Sequence, residues 1–179
     1  EPEAAAWRSK LDAARAEQPV VRWAALLHDI GKPGTRAEKA GEGTFYGHAE
    51  LGGRLADALL ARLKFAHATR ERIVHLVREH MFDYQPSWSD AAVRRFVKRA
   101  GEVNLADLLA LRAADAAGTR EGAPDLSNLV ALEARIALVL ASKPALSTHE
   151  LALDGNQLMA VLGLSPGPRV GAILDALVE

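Results

Sequence analysis

Residues 26 to 33 run Leu26-Leu27-His28-Asp29-Ile30-Gly31-Lys32-Pro33. Upstream, Val20, Trp23, Ala24 and Leu27 fall at i, i+3, i+4 and i+7, the apolar stripe of a helix that starts at Pro19. Gly31 and Pro33 read as its stop. An imidazole and a carboxylate therefore stand side by side at the end of a buried helix. Neighbours on a helix normally diverge, but a relaxed last turn lets both reach one ion. Nitrogen and oxygen donors together suit a borderline first-row metal such as manganese, iron, cobalt, nickel or zinc. Lys32 supplies a positive charge for a phosphate.

Downstream, Gly34 to Gly47 is rich in glycine and charge and reads as an exposed loop. A helix is expected near His48, with Leu51, Leu55, Ala58, Leu59 and Leu63 as its apolar stripe. Thr69 is read as the cap of the next helix, carrying Ile73, Val74, Val77 and Met81. Ser89-Asp90 opens a helix with Val93, Phe96 and Val97. Asn104 is read as the cap of one with Leu105, Leu108, Leu109 and Leu111. Residues 125–141 are again amphipathic, and residues 151–179 read as two short helices joined by a Gly/Pro turn. A further helix is expected from Pro2 to Glu17. The expected fold is all-α: a helical bundle over residues 1–145, then a small helix-turn-helix-like segment over 146–179.

His48, His80 and Asp115 each lie near a predicted helix end. Side chains from different helices of a bundle can converge on one ion. Three imidazoles and two carboxylates would hold one or two metals. The chemistry such ions supply is polarisation of a phosphoryl oxygen and activation of water for in-line attack. Each residue also has a plainer reading. His48 would be a surface residue at a helix start, His80 a helix-end cation favoured by the dipole, and Asp115 a solvent-facing carboxylate. His67, His75 and His149 are assigned to ordinary structural roles, Arg94-Arg95 to a solvated basic face, and Trp7, Trp23 and Trp88 to packing.

The bulk numbers narrow the function classes. A net charge of −1 gives no global attraction for nucleic acid. The absence of cysteine excludes disulfides, thiolate metal sites and cysteine nucleophiles, and fits a cytoplasmic protein. No apolar run is long enough to span a bilayer, so no membrane partner is expected. The sequence starts in Ala-rich, charged sequence without Met, which reads as a cut from a longer chain.

The His-Asp-Ile-Gly-Lys motif with a later isolated His and a distant Asp resembles the HD superfamily of metal-dependent phosphohydrolases. The segments RWAALLHDIGKP, FYGHAELGG, LVREHMFDY, AAVRRFVKRAG and LLALRAADAAG look like the HD region of bacterial tRNA nucleotidyltransferases, the CCA-adding and poly(A) polymerase-like family. LALDGNQLMAVLGLSPGPRVGAILDALVE resembles the helical segment that follows it. The resemblance covers Arg22 to Glu179. It implies His28 and Asp29 as central metal ligands and His48, His80 and Asp115 as further ligands. It also implies a divalent cofactor (Mn, Ni, Co, Fe, Zn or Mg) and an N-terminal nucleotidyltransferase domain elsewhere in a longer chain. The expected activity is hydrolysis of nucleotide or RNA-end phosphate esters, of phosphomonoesterase or 2′,3′-cyclic phosphodiesterase type, with Asp29 and Lys32 as the catalytic pair. The alternative is a catalytically silent module serving tRNA binding, which the Gly163–Gly171 turn would assist by offering backbone N–H groups to phosphate. This sequence departs from the family motif in two places: no His precedes His28, and Ala49 follows His48 where Glu is usual.

Overall fold

The computed structural model of the chain describes residues 18–39, 42–118, 125–141 and 151–178. The elements are α1 (Pro19–Leu27), α2 (Lys32–Thr35), β1 (Ala37–Lys39), β2 (Glu42–Thr44), α3 (His48–Arg62), α4 (His67–Glu79), α5 (Asp90–Ala100), α6 (Glu102–Gly118), α7 (Ser127–Ala141), α8 (Gly155–Leu162) and α9 (Pro168–Val178). The architecture is all-α but for one small hairpin. The helix expected over Pro2–Glu17, Trp7, His149 and the boundary expected at 145 lie outside the described residues. No described helix is long and apolar enough to cross a membrane.

The chain divides into two compact units, Glu1–Asp83 with Glu102–Leu129, and Tyr84–Gly101 with Val130–Glu179. In the first, α1 packs on α4 and α6, and α3 lies along α4. Val20, Val21, Ala24 and Leu27 of α1, Ile73, Leu76 and Val77 of α4, and Leu105, Leu108 and Leu111 of α6 are buried. Trp23 meets Phe65 edge-on at 5.1 Å between ring centroids.

The face of α3 differs from the expected leucine stripe. Its buried residues are His48, Gly52, Gly53, Ala56 and Leu60, while Leu55 and Leu63 are exposed. The reason is proximity rather than hydrophobicity. A Cβ at Gly53 would lie 2.7 Å from the Arg78 side chain, and one at Gly52 would lie 3.4 Å from Val77 Cγ1. Small residues let α3 approach α4 closely, a need that an apolar period does not reveal.

Other expectations change in detail. The 34–47 segment is not a plain loop: a helical turn and an antiparallel pair, Ala37↔Thr44, Glu38↔Gly43 and Lys39↔Glu42, occupy it. Its strands lack apolar alternation, so the pattern gave no strand signal. α4 starts at His67, with Ala66 in extended backbone before it, so Thr69 sits within the first turn and caps nothing. α6 starts at Glu102, which puts Asn104 inside the helix, its Oδ1 buried without a hydrogen-bond partner. Met81 lies beyond α4 and is exposed. Ser89 does cap α5, accepting from the Ala92 N–H.

In the second unit, Arg135 of α7 bonds Asp90 at 2.6 Å, with Tyr84 and the Trp88 carbonyl also among its partners. Trp88 contacts Tyr84 and Phe96 edge-on, a packing role. α8 carries a capping box, in which Asp154 accepts from the Gln157 N–H and the Gln157 side chain accepts from the Asp154 N–H. Gly163 closes α8 in the left-handed region at φ 63°, and α8 packs on α9.

Candidate metal centre

The four main helices of the first unit each bring a donor from one end. His28 caps the C-terminus of α1 and Asp29 follows in the turn. His48 is the first residue of α3, His80 caps the C-terminus of α4, and Asp115 lies in the last turn of α6. All five residues singled out in the sequence lie together. Gly31 makes this convergence possible. A Cβ there would lie 2.1 Å from the His48 carbonyl oxygen and 2.7 Å from the Gly52 nitrogen. Its φ of −81° is open to any residue, so it is backbone contact, not backbone conformation, that requires glycine after the end of α1.

Each imidazole is held in one orientation. Nδ1–H of His28 donates to the Ala25 carbonyl at 2.8 Å, that of His48 to Phe45 at 2.8 Å, and that of His80 to Val77 at 2.7 Å. At His28 and His80 the acceptors are helix-end carbonyls with no partner of their own in the helix. These bonds set the tautomer and leave each Nε2 with a lone pair. The lone pairs face one another. His48 Nε2 is 3.3 Å from His80 Nε2, in side chains that are almost wholly buried. His28 Nε2 lies 3.2 Å from Asp29 Oδ2 and 3.5 Å from Asp115 Oδ1, and His48 Nε2 lies 3.5 Å from Asp29 Oδ1. Acceptors gathered this way repel unless a cation stands among them.

Asp29, His48 and His80 form the tightest group, with donor atoms all within 4.8 Å of one another. Two ligands each about 2.1 Å from one ion sit roughly 3.0 to 4.2 Å apart. The spacings here match that range. His28 and Asp115 gather on the Oδ2 side of Asp29, so Asp29 stands between two donor sets.

Burial works against the Asp29 carboxylate, but Lys32, His28 and His80 outweigh it and hold its pKa below the usual value. For His80, burial dominates and the nearby His28 and His48 add to it. The Val77 bond and the Asp29 carboxylate oppose them, and the net pKa lies below that of an ordinary histidine. Both groups are therefore in the ligand-ready form at neutral pH.

Lys32 Nζ sits 2.6 Å from Asp29 Oδ2 and 5.8 Å from the Phe45 ring centroid, so its charge is partly engaged at the site. Sequence reasoning missed Arg112, whose Nη1 donates to Asp115 Oδ2 at 2.7 Å. The i, i+3 spacing to Asp115 was its available signal.

The HD domain family model matches residues 4–117, and the chain belongs to that family. Among characterised relatives, the A-adding tRNA nucleotidyltransferase of Deinococcus radiodurans is 42% identical over 169 residues, covering 89% of this chain and 37% of that protein. The CC-adding tRNA nucleotidyltransferase of Thermus thermophilus is 42% identical over 160 residues, covering 88% and 35%. The Multifunctional CCA protein of Legionella pneumophila is 40% identical over 65 residues, covering 36% and 15%. The chain spans about a third of the length of the first two. No solved structure matches it.

Proposed function

We propose that this chain is a divalent-metal-dependent phosphohydrolase module of a tRNA nucleotidyltransferase-like protein, acting on nucleotide or RNA-end phosphate esters. The observation that carries the reading is the set of three imidazoles, each locked through Nδ1–H, whose Nε2 lone pairs converge with two carboxylates. The donor chemistry fits a divalent first-row ion, with manganese, nickel, cobalt, iron and zinc ahead of magnesium because imidazoles predominate. In this reading His28, Asp29 and Asp115 hold one ion. His48 and His80 hold a second ion or orient the substrate phosphate. A bound ion would polarise a phosphoryl oxygen and activate water. Asp29 joins the two donor sets through its two oxygens, and Lys32 swings from Asp29 to pair with a phosphate oxygen. A cytoplasmic setting belongs to the same proposal.

The test is metal content of chelator-free protein together with turnover of a phosphomonoester and a 2′,3′-cyclic nucleotide under manganese, nickel and cobalt. Bound metal, with turnover lost in His28→Ala and Asp29→Ala, is the expected result. No metal and no turnover would overturn it.

A second reading draws on the relatives, which are named as transferases: the module binds tRNA and the metal centre is silent. Bound metal without turnover, accompanied by tRNA binding that survives Asp29→Ala, would favour it.

A further inference from the structure

We propose that Arg112 is a positioning residue of the metal centre, gripping one oxygen of Asp115 so that the other faces His28. The inference rests on the metal-centre reading above. Arg112 Nη1 donates to Asp115 Oδ2 at 2.7 Å, and the other oxygen, Oδ1, lies 3.5 Å from His28 Nε2. The division of labour between the two oxygens is what a monodentate ligand needs. A free carboxylate rotates about its terminal bond and offers either oxygen or both. Arg112 removes that freedom.

The pair differs from an ordinary surface contact on a helix. Exposed ion pairs hold their side chains loosely. Here the Asp115 side chain is only 17% exposed, and that of Arg112 only 35%. Across the site Lys32 Nζ holds Asp29 Oδ2 at 2.6 Å, but there both oxygens face imidazoles, Oδ1 towards His48 and Oδ2 towards His28, so Asp115 is the carboxylate with divided oxygens. Each carboxylate of the centre thus has one oxygen on a cation, three residues away on its own chain segment. Arg112 meets the centre through Asp115, which makes its effect separable.

The experiment is a cobalt(II) titration of the full chain, read by calorimetry and by the visible absorption of the bound ion. It compares wild type, Arg112→Met, Asp115→Ala and the double variant, with folding checked by circular dichroism. Loss of a group that orients a metal ligand costs roughly 10- to 100-fold in affinity. Arg112→Met is expected to show that loss and a changed cobalt spectrum. The double variant is expected to bind no more weakly than Asp115→Ala alone, because Arg112 acts through Asp115. Arg112→Lys, which keeps the charge without the planar fork, is expected to recover part of the affinity. An Arg112→Met protein with wild-type affinity and spectrum would overturn the inference, as would additive losses in the double variant. Should Arg112→Met fail to fold, the same cycle with Arg112→Lys decides between these outcomes. Wild type that binds no cobalt would instead sink the metal-centre reading itself.

Discussion

Helix α4 serves two histidine-bearing regions, and they behave differently. At its C-terminal end His80 joins His48, His28, Asp29 and Asp115. Along its outer face His67, Arg70, Glu71, His75 and Arg78 line an open cleft of about 540 Å³. The cleft's charged groups, however, are largely paired with nearby opposite charges. His67 Nδ1 lies 3.2 Å from Glu71, and Arg72 Nη2 lies 2.6 Å from the fully buried Asp107. Arg70 Nε lies 2.7 Å from Asp57, at an angle that forms no hydrogen bond. In the metal centre the imidazole donors are already spent on backbone carbonyls, and the remaining lone pairs point at acceptors. Paired charges make a surface, whereas converging imidazole lone pairs, held in place, are what the proposed cation site rests on.

That contrast can be broken by mutation. The largest effect is expected from Asp29→Ala, which removes the carboxylate shared by both donor sets. Metal content should fall by more than the roughly 100-fold that loss of an outer partner costs, measured by elemental analysis after dialysis. Gly31→Ala should follow. Its methyl would meet the His48 carbonyl at 2.1 Å, so α1 and α3 must part. A loss of about 3 kcal/mol in denaturant unfolding is expected, with metal affinity falling alongside.

Acid titration sharpens the comparison next. His80 has a depressed pKa in the folded chain, so unfolded chain takes up its proton first as pH falls through 6.5. The stability His80 contributes is therefore complete above that value and is lost as pH drops below it. Metal should leave in the same direction, because protons compete for the Nε2 lone pairs. Retention of metal at pH 6.5 and its release on further acidification, followed by cobalt absorbance, is the expected outcome.

In the cleft the effects should be structural only. Arg72→Ala leaves the buried Asp107 short of a cation and should cost about 1–3 kcal/mol with metal affinity unchanged. Arg70→Ala removes a poorly oriented pair and should cost about 0–1 kcal/mol, again without effect on metal. A cleft variant that changed metal affinity would show that the two ends of α4 are coupled.

Much of this molecule was legible from residue pattern alone. The helices bearing Val20 to Leu27, Ile73 to Val77 and Leu105 to Leu111 were visible because burial against neighbours repeats with the helical period. His28-Asp29 stood out because a ligand pair at a helix end is chemically unusual. Where small residues did the packing, the pattern misled. The leucines of α3 advertised one buried face, yet the close approach of Val77 and Arg78 to Gly52 and Gly53 buried a neighbouring one, with Leu60 on it. Thr69 and Asn104 had the right chemistry for caps, but helices α4 and α6 begin two residues earlier.

By itself, then, the sequence determined the helical class and the residue types available to a metal, because periodicity and side-chain chemistry are local. Tertiary structure alone decided that His28, His48, His80 and Asp115 meet, since spacing along the chain says nothing of distance between helix ends. It also decided that Gly31 is a point of backbone contact, that three carbonyls lock the imidazoles, and that Arg112 holds Asp115. Those features depend on where separate segments touch, or on which rotamer burial leaves open, and only the packed chain sets either.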